Sequence, residues 1–185
     1  MRNMSERKLP SLMKSKKASV ISCQIISAEP NDVDQAFQDL KRNMDPKYAH
    51  VFLDKIERYS IKPDRALFLA RYQEKNIGFA TIINQAPAPD NANKETIALL
   101  QDYACGTGLM VLPEFRHKGV ASKLVLQWEI WATQNHLSGI WLITRKMGDW
   151  YQRFFHYSLH GTTIRNGVKK TILTKALRQL HPNQK

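Results

Sequence analysis

Apolar positions recur along the chain with two different periods, and these periods separate predicted strands from predicted helices. Short runs rich in β-branched and aromatic residues, either alternating or unbroken, are typical of strands. Seven runs fit this description, at residues 19–27, 66–73, 77–84, 103–112, 140–143, 158–165 and 168–175. Residues 140–143 are apolar throughout, which indicates a central strand that is buried on both faces.

Helices are predicted where apolar residues lie three and four positions apart, because that spacing gives one apolar face. Four segments show this spacing: residues 32–43, residues 46–59, a long helix from Val120 that ends before Ser138, and a short aromatic helix that opens at Gly148 and Asp149. Residues 85–95 contain two prolines and many polar residues, which predicts a loop. The predicted order is β-α-α-β-β-β-α-β-α-β-β, with a hairpin turn at Asn166 and Gly167.

Length and charge indicate how the chain is divided into a domain and terminal segments. The chain has 185 residues, which suits one domain, and we place it at residues 19–177. The net charge is +12, and residues 1–18 hold six cations against one acid. We expect residues 1–18 to be a flexible basic segment and residues 178–185 to be a tail. A basic segment can attract nucleic acid, so a nucleic-acid-binding protein is one function to consider.

Other classes of protein are disfavoured by the sequence. The apolar runs are far shorter than the roughly 20 residues that cross a bilayer, so no membrane span is expected. Only Cys23 and Cys105 are present, which argues against a disulfide framework and favours a reducing, cytoplasmic location. No zinc-type spacing of ligands occurs, so no metal is expected.

The segment VLPEFRHKGVASKL, residues 111–124, carries the most specific chemistry. Three cations and Gly119 stand directly before a predicted helix, although a helix N-terminus already has partial positive charge and usually attracts acids. A loop of this kind, followed by the free amides of a helix, is typical of a phosphate site. Gly106 and Gly108 in the preceding strand suggest a bulge or a close approach of the backbone to a ligand.

This segment resembles the signature of the GCN5-related N-acetyltransferase (GNAT) superfamily. That signature is V-x-P, two or three residues, then [RQ]-x-x-G-x-[GA], and the chain supplies Val111, Pro113, Arg116, Gly119 and Ala121. The resemblance extends over the whole predicted domain. It implies an α/β GNAT fold, with a mixed central sheet of about seven strands that splays between strands 4 and 5 and is flanked by about four helices.

The resemblance also implies a co-substrate, acetyl-CoA, and the residues that bind it. Backbone groups of Leu109, Met110 and Val111 would bind the pantetheine arm, and amides of the following loop and helix would bind the pyrophosphate. The side chains of the cations could also meet its phosphates. The loop and helix residues concerned are Arg116, His117, Lys118, Gly119, Val120, Ala121 and Ser122.

The catalytic residues are less clear, because the chain departs from the family pattern N-x-x-A-x-x-x-Y-x-x-x-G-F. Phe155 stands where that pattern has its tyrosine acid, so Tyr157 is the candidate acid, with Tyr151 one helical turn before Phe155. Asp102 and Cys105 are the nearest candidates for a base or a nucleophile, and water or backbone carbonyls are the favoured base.

The leading hypothesis is therefore an N-acetyltransferase in which a primary amine attacks acetyl-CoA directly. Its acceptor would be a small-molecule or peptide amine, and a homodimer formed through an edge strand is an option common in the family. The alternatives are a GNAT-fold acyl-CoA binding module with impaired catalysis and, less favoured, a nucleic-acid-binding protein. The last lacks the motifs of RNA modules and any helix-turn-helix or zinc signature.

Overall fold

The computed structural model of the protein describes residues 20–46, 49–50, 54, 62–90 and 92–177, and in it the strand-forming runs all join one sheet. The strands are β1 (Gln24–Ser27), β2 (Arg65–Tyr72), β3 (Lys75–Ile83), β4 (Tyr103–Val111), β5 (Gly139–Thr144), β6 (Ser158–Arg165) and β7 (Val168–Ala176). Their order in the sheet is β1-β2-β3-β4-β5-β7-β6. Only β4 and β5 pair in parallel among these strands, so the predicted mixed seven-stranded fold is confirmed.

Four helices are described, and one of them was not predicted. They are α1 (Pro30–Asn43), α2 (Lys94–Gln101), α3 (Val120–Gln134) and α4 (Gly148–Phe155). The unpredicted helix α2 interrupts the expected run of three strands. Its N-terminus is capped by Asn93, whose Oδ1 accepts the amide of Thr96 at 2.8 Å, and Leu100 is its one buried residue. A helix of eight residues in which only Leu100 is buried gives almost no periodic signal, because apolar Ile97 and Leu99 lie on exposed positions.

Three predicted segments fall wholly or largely outside the described residues. The predicted helix at 46–59 is one, and the basic segment 1–18 and the tail 178–185 are the others. Among the described helices, none is both long and apolar enough to cross a bilayer.

The two faces of the sheet carry separate apolar clusters. On one face, Leu124 and Trp128 of α3 pack against Ala104 of β4 and Leu142 of β5. On the other face, α1 covers Leu67, Leu69 and Phe79, while a smaller cluster joins Leu100 and Tyr103 to Cys105 and Trp141. Because successive residues of a strand point to opposite faces, Leu142 and Trp141 belong to different clusters.

The parallel pair β4 and β5 separates partway along its length. The ladder runs from Tyr103↔Gly139 to Gly106↔Leu142 and stops there, although β4 continues to Val111. On the opposite side, β4 stays paired with β3, from Cys105 to Val111. The edge of β4 after Gly106 that would face β5 is therefore open. This is the splay expected between strands 4 and 5.

A β-bulge lies at the point of separation. Thr81 of β3 pairs with Gly108 and Ile82 pairs with Gly106, so Thr107 is an extra residue in β4. Its hydroxyl lies 2.9 Å from the hydroxyl of Thr81, which is fully buried. The bulge suggested by the two glycines is present. Gly106 is also required by packing, because a Cβ there would lie 2.9 Å from the Trp128 ring.

Candidate active site

A cavity of about 590 Å³ occupies the gap between the separated strands, on the face covered by α3. Its wall is formed by β4 from Gly106 to Val111, the start of α3, the end of β5 and the first turn of α4. We call it the first cavity. None of the described residues in its wall is an aspartate or a glutamate. An anionic ligand therefore meets no opposing carboxylate from these residues.

The loop from β4 to α3 bends through a short 3₁₀ turn, Pro113–Phe115, and two left-handed residues. The left-handed residues are His117, with φ of 60°, and Gly119, with φ of 81°. Alternating hands along a backbone turn several N–H groups towards one side, which makes an anion-binding concavity. Arg116 braces the loop from within, because its Nε donates to the carbonyl of Val111 at 3.0 Å.

The N-terminus of α3 is left open by the same loop. Gly119 is its N-cap, no side chain caps it, and no acidic residue lies in its first turn. The first amide in the helix with a helical partner is that of Lys123, which donates to Gly119 O at 3.2 Å. The amides of Val120, Ala121 and Ser122 precede it, and all three residues line the first cavity. Uncapped amides at the positive end of a helix form a phosphate site.

The structure brings nearly all of the predicted coenzyme residues to this cavity. Nine of the ten line it: Leu109, Met110, Val111, Arg116, His117, Gly119, Val120, Ala121 and Ser122. The tenth, Lys118, does not. Its Nζ lies 5.4 Å from the ring centroid of Phe115, a cation–π contact that turns the ammonium towards that ring.

The segment at residues 20–23 is fixed against the loop, and this contact was missed by sequence reasoning. The amide of Ile21 donates to Lys118 O at 3.4 Å, and Nζ of Lys123 donates to Cys23 O at 3.2 Å. These contacts replace strand pairing, which is why β1 begins at Gln24 and not at residue 19. Lys123 is a charged residue on the polar side of a predicted helix, and nothing in the sequence indicates that it binds the backbone of residues 20–23.

Two tyrosines near α4 have different positions. Tyr151 lines the first cavity, stacks on Trp128 with ring centroids 6.4 Å apart, and is 6% exposed. Tyr157, the tyrosine predicted as an acid, does not line it; it is 3% exposed, and its hydroxyl has no hydrogen-bond partner among the described residues. Burial raises the pKa of both phenols well above the usual value, so both stay protonated at neutral pH.

The end of α4 separates the two tyrosines. His156 adopts a left-handed conformation, with φ of 58°, and its amide caps the helix by donating to the carbonyl of Gln152. A left-handed residue at this position ends the helix, so Tyr151 lies inside α4 and Tyr157 follows it.

A second cavity of about 450 Å³ lies on the opposite face of the sheet, and it meets the first at the bulge. Gly106 and Thr107 of β4 and Ile143 of β5 line both cavities. Cys105, a predicted candidate nucleophile, lines only the second cavity and is 7% exposed. No histidine is found among the described residues that line this cavity, so none of them could activate that thiol.

Asp102 is not brought to either cavity among the described wall residues. It precedes β4, forms the C-cap of α2, and is exposed, with its carbonyl accepting the amide of Ser138 at 2.9 Å. Thr107 is five positions further along the strand, or roughly 16 Å away. In the part of the chain that is described, no group of His, Cys, Asp and Glu side chains could hold a metal ion.

Several solved structures share the fold of this chain. The PaiA N-acetyltransferase of Thermoplasma acidophilum, in complex with coenzyme A, has a TM-score of 0.57 at 15% identity, over 84% of this chain and 99% of that one. The ribosomal-protein-S18-alanine N-acetyltransferase of Escherichia coli has a TM-score of 0.59 at 12% identity, over 89% and 99%. An aminoglycoside 6'-acetyltransferase of type Ii has a TM-score of 0.62 at 17% identity, over 87% and 99%.

At such identities these likenesses show the fold alone, and a search of curated protein sequences finds no match. The sequence itself gives the stronger result. Residues 33–157 match the acetyltransferase (GNAT) family. This segment is more than half of the chain and includes β4, the loop from β4 to α3, β5 and α4. The protein therefore belongs to the GNAT family of acetyltransferases.

Proposed function

We propose that the protein transfers the acetyl group of acetyl-CoA to a primary amine by direct attack of the amine on the thioester. One observation carries the proposal: the first cavity joins the uncapped amides of α3 to the open edge of β4, beside the break in the sheet. The amides suit a pyrophosphate, and the strand edge suits an extended chain with amide groups. Coenzyme A has both parts.

The residues divide the binding of coenzyme A between them. Backbone amides of Val120, Ala121 and Ser122 would bind the pyrophosphate. Exposed Arg116 would supply positive charge beside it, and exposed His117 would supply a ring N–H. The open edge of β4 from Thr107 to Val111 would pair with the pantetheine arm as an added strand. The thioester would then lie near Gly106 and Thr107, where the two cavities meet.

The geometry favours Tyr151 as the acid that protonates the departing thiolate. It lies in the wall of the first cavity, on the helix that follows β5, and its raised pKa keeps the phenol protonated. Proton removal from the ammonium is assigned to water or backbone carbonyls, because Gly106, Thr107 and Ile143 carry no basic side chain. An amide of β4 beside the break would polarise the thioester carbonyl.

A coenzyme A binding module without catalysis is the second candidate, and the uncharged surroundings of the junction favour it. General bases contribute roughly 10²- to 10⁴-fold to such reactions, and no described carboxylate or imidazole lines both cavities. Release of free thiol from acetyl-CoA in the presence of an amine panel separates the two. An enzyme releases thiol, whereas a binding module is only stabilised by acetyl-CoA.

The coenzyme site is tested with Ser122→Glu, with Ser122→Gln as the matched control. Ser122 is exposed in the first turn of α3, so a carboxylate there should stabilise the free protein through the helix dipole. The same carboxylate should repel a pyrophosphate. We expect the melting temperature without ligand to hold or rise, and the melting shift given by coenzyme A to disappear.

Gly119→Glu should also abolish the melting shift. This substitution strains the backbone as well, because the glutamate would have to adopt a left-handed conformation. Ser122→Gln should keep most of the shift, because its side chain adds bulk without charge. An undiminished shift with coenzyme A in Ser122→Glu would place the pyrophosphate elsewhere and remove the proposal.

A further inference from the structure

The second cavity contains opposite charges that are not paired with each other. Asp90 on the loop after β3 and Arg165 at the end of β6 both line it, and neither forms an ion pair with any described residue. Asp54 adds another carboxylate to the wall. Between these charges the wall is apolar or weakly polar, with Pro87, Ile143 and buried Thr163. A ligand that carried both signs of charge would complement this wall.

A buried donor in the same wall supports a ligand with oxygen atoms. Trp141 lines the second cavity, is 2% exposed, and its indole N–H has no hydrogen-bond partner among the described residues. A buried donor that is left unsatisfied destabilises the fold. A ligand oxygen would relieve that cost, and an apolar amine would not.

The register of the sheet places Arg165 away from the junction with the first cavity. Thr144 at the end of β5 pairs with Thr171 of β7, which pairs with Thr162 of β6. Arg165 is three residues further along β6, or about 10 Å. A ligand whose amine reaches Gly106 and Thr107 would therefore meet this guanidinium with a group several bonds from the amine.

We propose that the acceptor is a small primary amine that carries a carboxylate several bonds away, such as an ω-amino acid or a short peptide. The inference rests on the proposed acetyl transfer and specifies the acceptor for it. The amine enters the second cavity, reaches the junction at Thr107 and attacks the thioester from the face opposite to coenzyme A. Arg165 binds the carboxylate, and Asp90 and Asp54 attract the ammonium during entry.

The test compares three amines of the same chain length with the full protein and acetyl-CoA: ε-aminocaproate, hexylamine and hexamethylenediamine. The dipeptide alanylalanine and its C-terminal amide form a second matched pair. We expect kcat/KM for ε-aminocaproate and the dipeptide to exceed that of their counterparts without a carboxylate by about tenfold or more, as a charge-assisted hydrogen bond implies. Equal kcat/KM for all three six-carbon amines, or a preference for the diamine, would overturn the proposal.

Arg165→Gln links this preference to one side chain. It should remove the preference for a carboxylate mainly by raising KM for ε-aminocaproate. Lys169→Gln is the matched control, because it removes the same charge from an exposed position of β7. Lys169 does not line the second cavity. If Lys169→Gln lowered the preference as much as Arg165→Gln, general charge would be the cause and the assignment of Arg165 would be wrong.

Failure of this inference is distinguishable from failure of acetyl transfer. Acetylation of hexylamine and the diamine without a preference for carboxylates would keep the transferase and refute the acceptor class. No thiol release with any amine, together with a melting shift from acetyl-CoA, would refute the proposed transfer and, with it, the acceptor assignment that rests on it.

Discussion

Single residues fix the geometry of the loop beside the first cavity. Gly119 takes a left-handed conformation as the N-cap of α3, which a glycine does without steric cost. A Cβ at Gly119 would make only an ordinary contact with Val20, at 3.5 Å, so space is not what demands glycine. The backbone conformation demands it, and the amides that follow depend on that conformation.

At the same scale, Tyr151 and Tyr157 give a direct comparison of two buried phenols. Tyr151→Phe should lower kcat by about a hundredfold and leave the melting shift with acetyl-CoA unchanged, because only the acid is lost. Tyr157→Phe, whose ring packs 5.5 Å from that of Tyr151, should change kcat little. The measurement is thiol release under saturating acetyl-CoA.

Burial also determines the pH dependence that is expected of the acid. Since burial raises the pKa of Tyr151 above its ordinary value of 10.0, no alkaline loss of activity from this group is expected below about pH 10. A larger loss of kcat in Tyr157→Phe than in Tyr151→Phe would show that the acid is assigned to the wrong ring.

At the scale of elements, α1 is attached to the sheet by polar contacts. Asp32 in its first turn accepts the amide of Glu29 at 2.9 Å and pairs with Arg71 of β2 at 2.6 Å. The hydrogen bond from Glu29, and then that from Arg71, lowers the pKa of Asp32 below 3.8. A lowered pKa means that the charged form stabilises the fold, and that this stability is lost as the pH falls through the folded pKa.

Asp32→Asn should therefore lower the free energy of unfolding by about 1 kcal/mol at neutral pH. The difference from the wild type should shrink as the pH falls below about 4, because Asp32 itself then becomes protonated. Denaturant unfolding at several pH values measures it. Asp34→Asn, at an exposed position of the same helix, is the control and should show no such trend. A constant difference at every pH would contradict the charge-based account.

The elements that were predicted well from the sequence are those whose buried residues recur at a regular spacing. β5 and α3 could be predicted because Ile140, Leu142, Leu124 and Trp128 lie in one cluster, and burial fixes their spacing. The loop at Arg116 to Gly119 could be predicted because its chemistry is local. Helix α2 and the Lys123 contact with residues 20–23 could not, because one depends on a single cap and the other joins residues 100 positions apart.

The second cavity, which we propose for the acceptor, was least predictable for a similar reason. It is formed by five separate parts of the sequence, represented by Asp54, Asp90, Cys105, Trp141 and Arg165. No spacing rule connects them, and only the sheet order brings β6 and the loop after β3 to one place. The first cavity, by contrast, comes mostly from one continuous segment, which is the second half of β4 with the loop and the helix start that follow it.

At the scale of the whole molecule, the net charge of +12 should speed the binding of coenzyme A, which is the proposed co-substrate and a polyanion. A net positive protein attracts coenzyme A over long range, and salt screens that attraction over about 10 Å at 0.1 M. The association rate constant for coenzyme A should fall about tenfold from low to high salt, while the dissociation rate changes much less. Stopped-flow measurements over a salt series test this.

Duplex DNA provides the comparison for the same series. Weak binding that vanishes with salt, and no competition with coenzyme A, would fit a general attraction of anions to the protein. Tight DNA binding that persists at high salt would contradict the assignment of the charge to the co-substrate and would revive a nucleic-acid function.

The extra residue at Thr107 also determines which mutations the strand can accept. Because the later residues of β4 are already in register with β3, deletion of Thr107 would leave Met110 opposite Phe79 and Val111 opposite Gly78, and would remove only the bulge. Substitution at this position changes one hydroxyl, whereas deletion removes the local bend of β4 at the point where it leaves β5. A chain one residue shorter here is therefore expected to keep both faces of β4 and to lose the shape of the strand beside the first cavity.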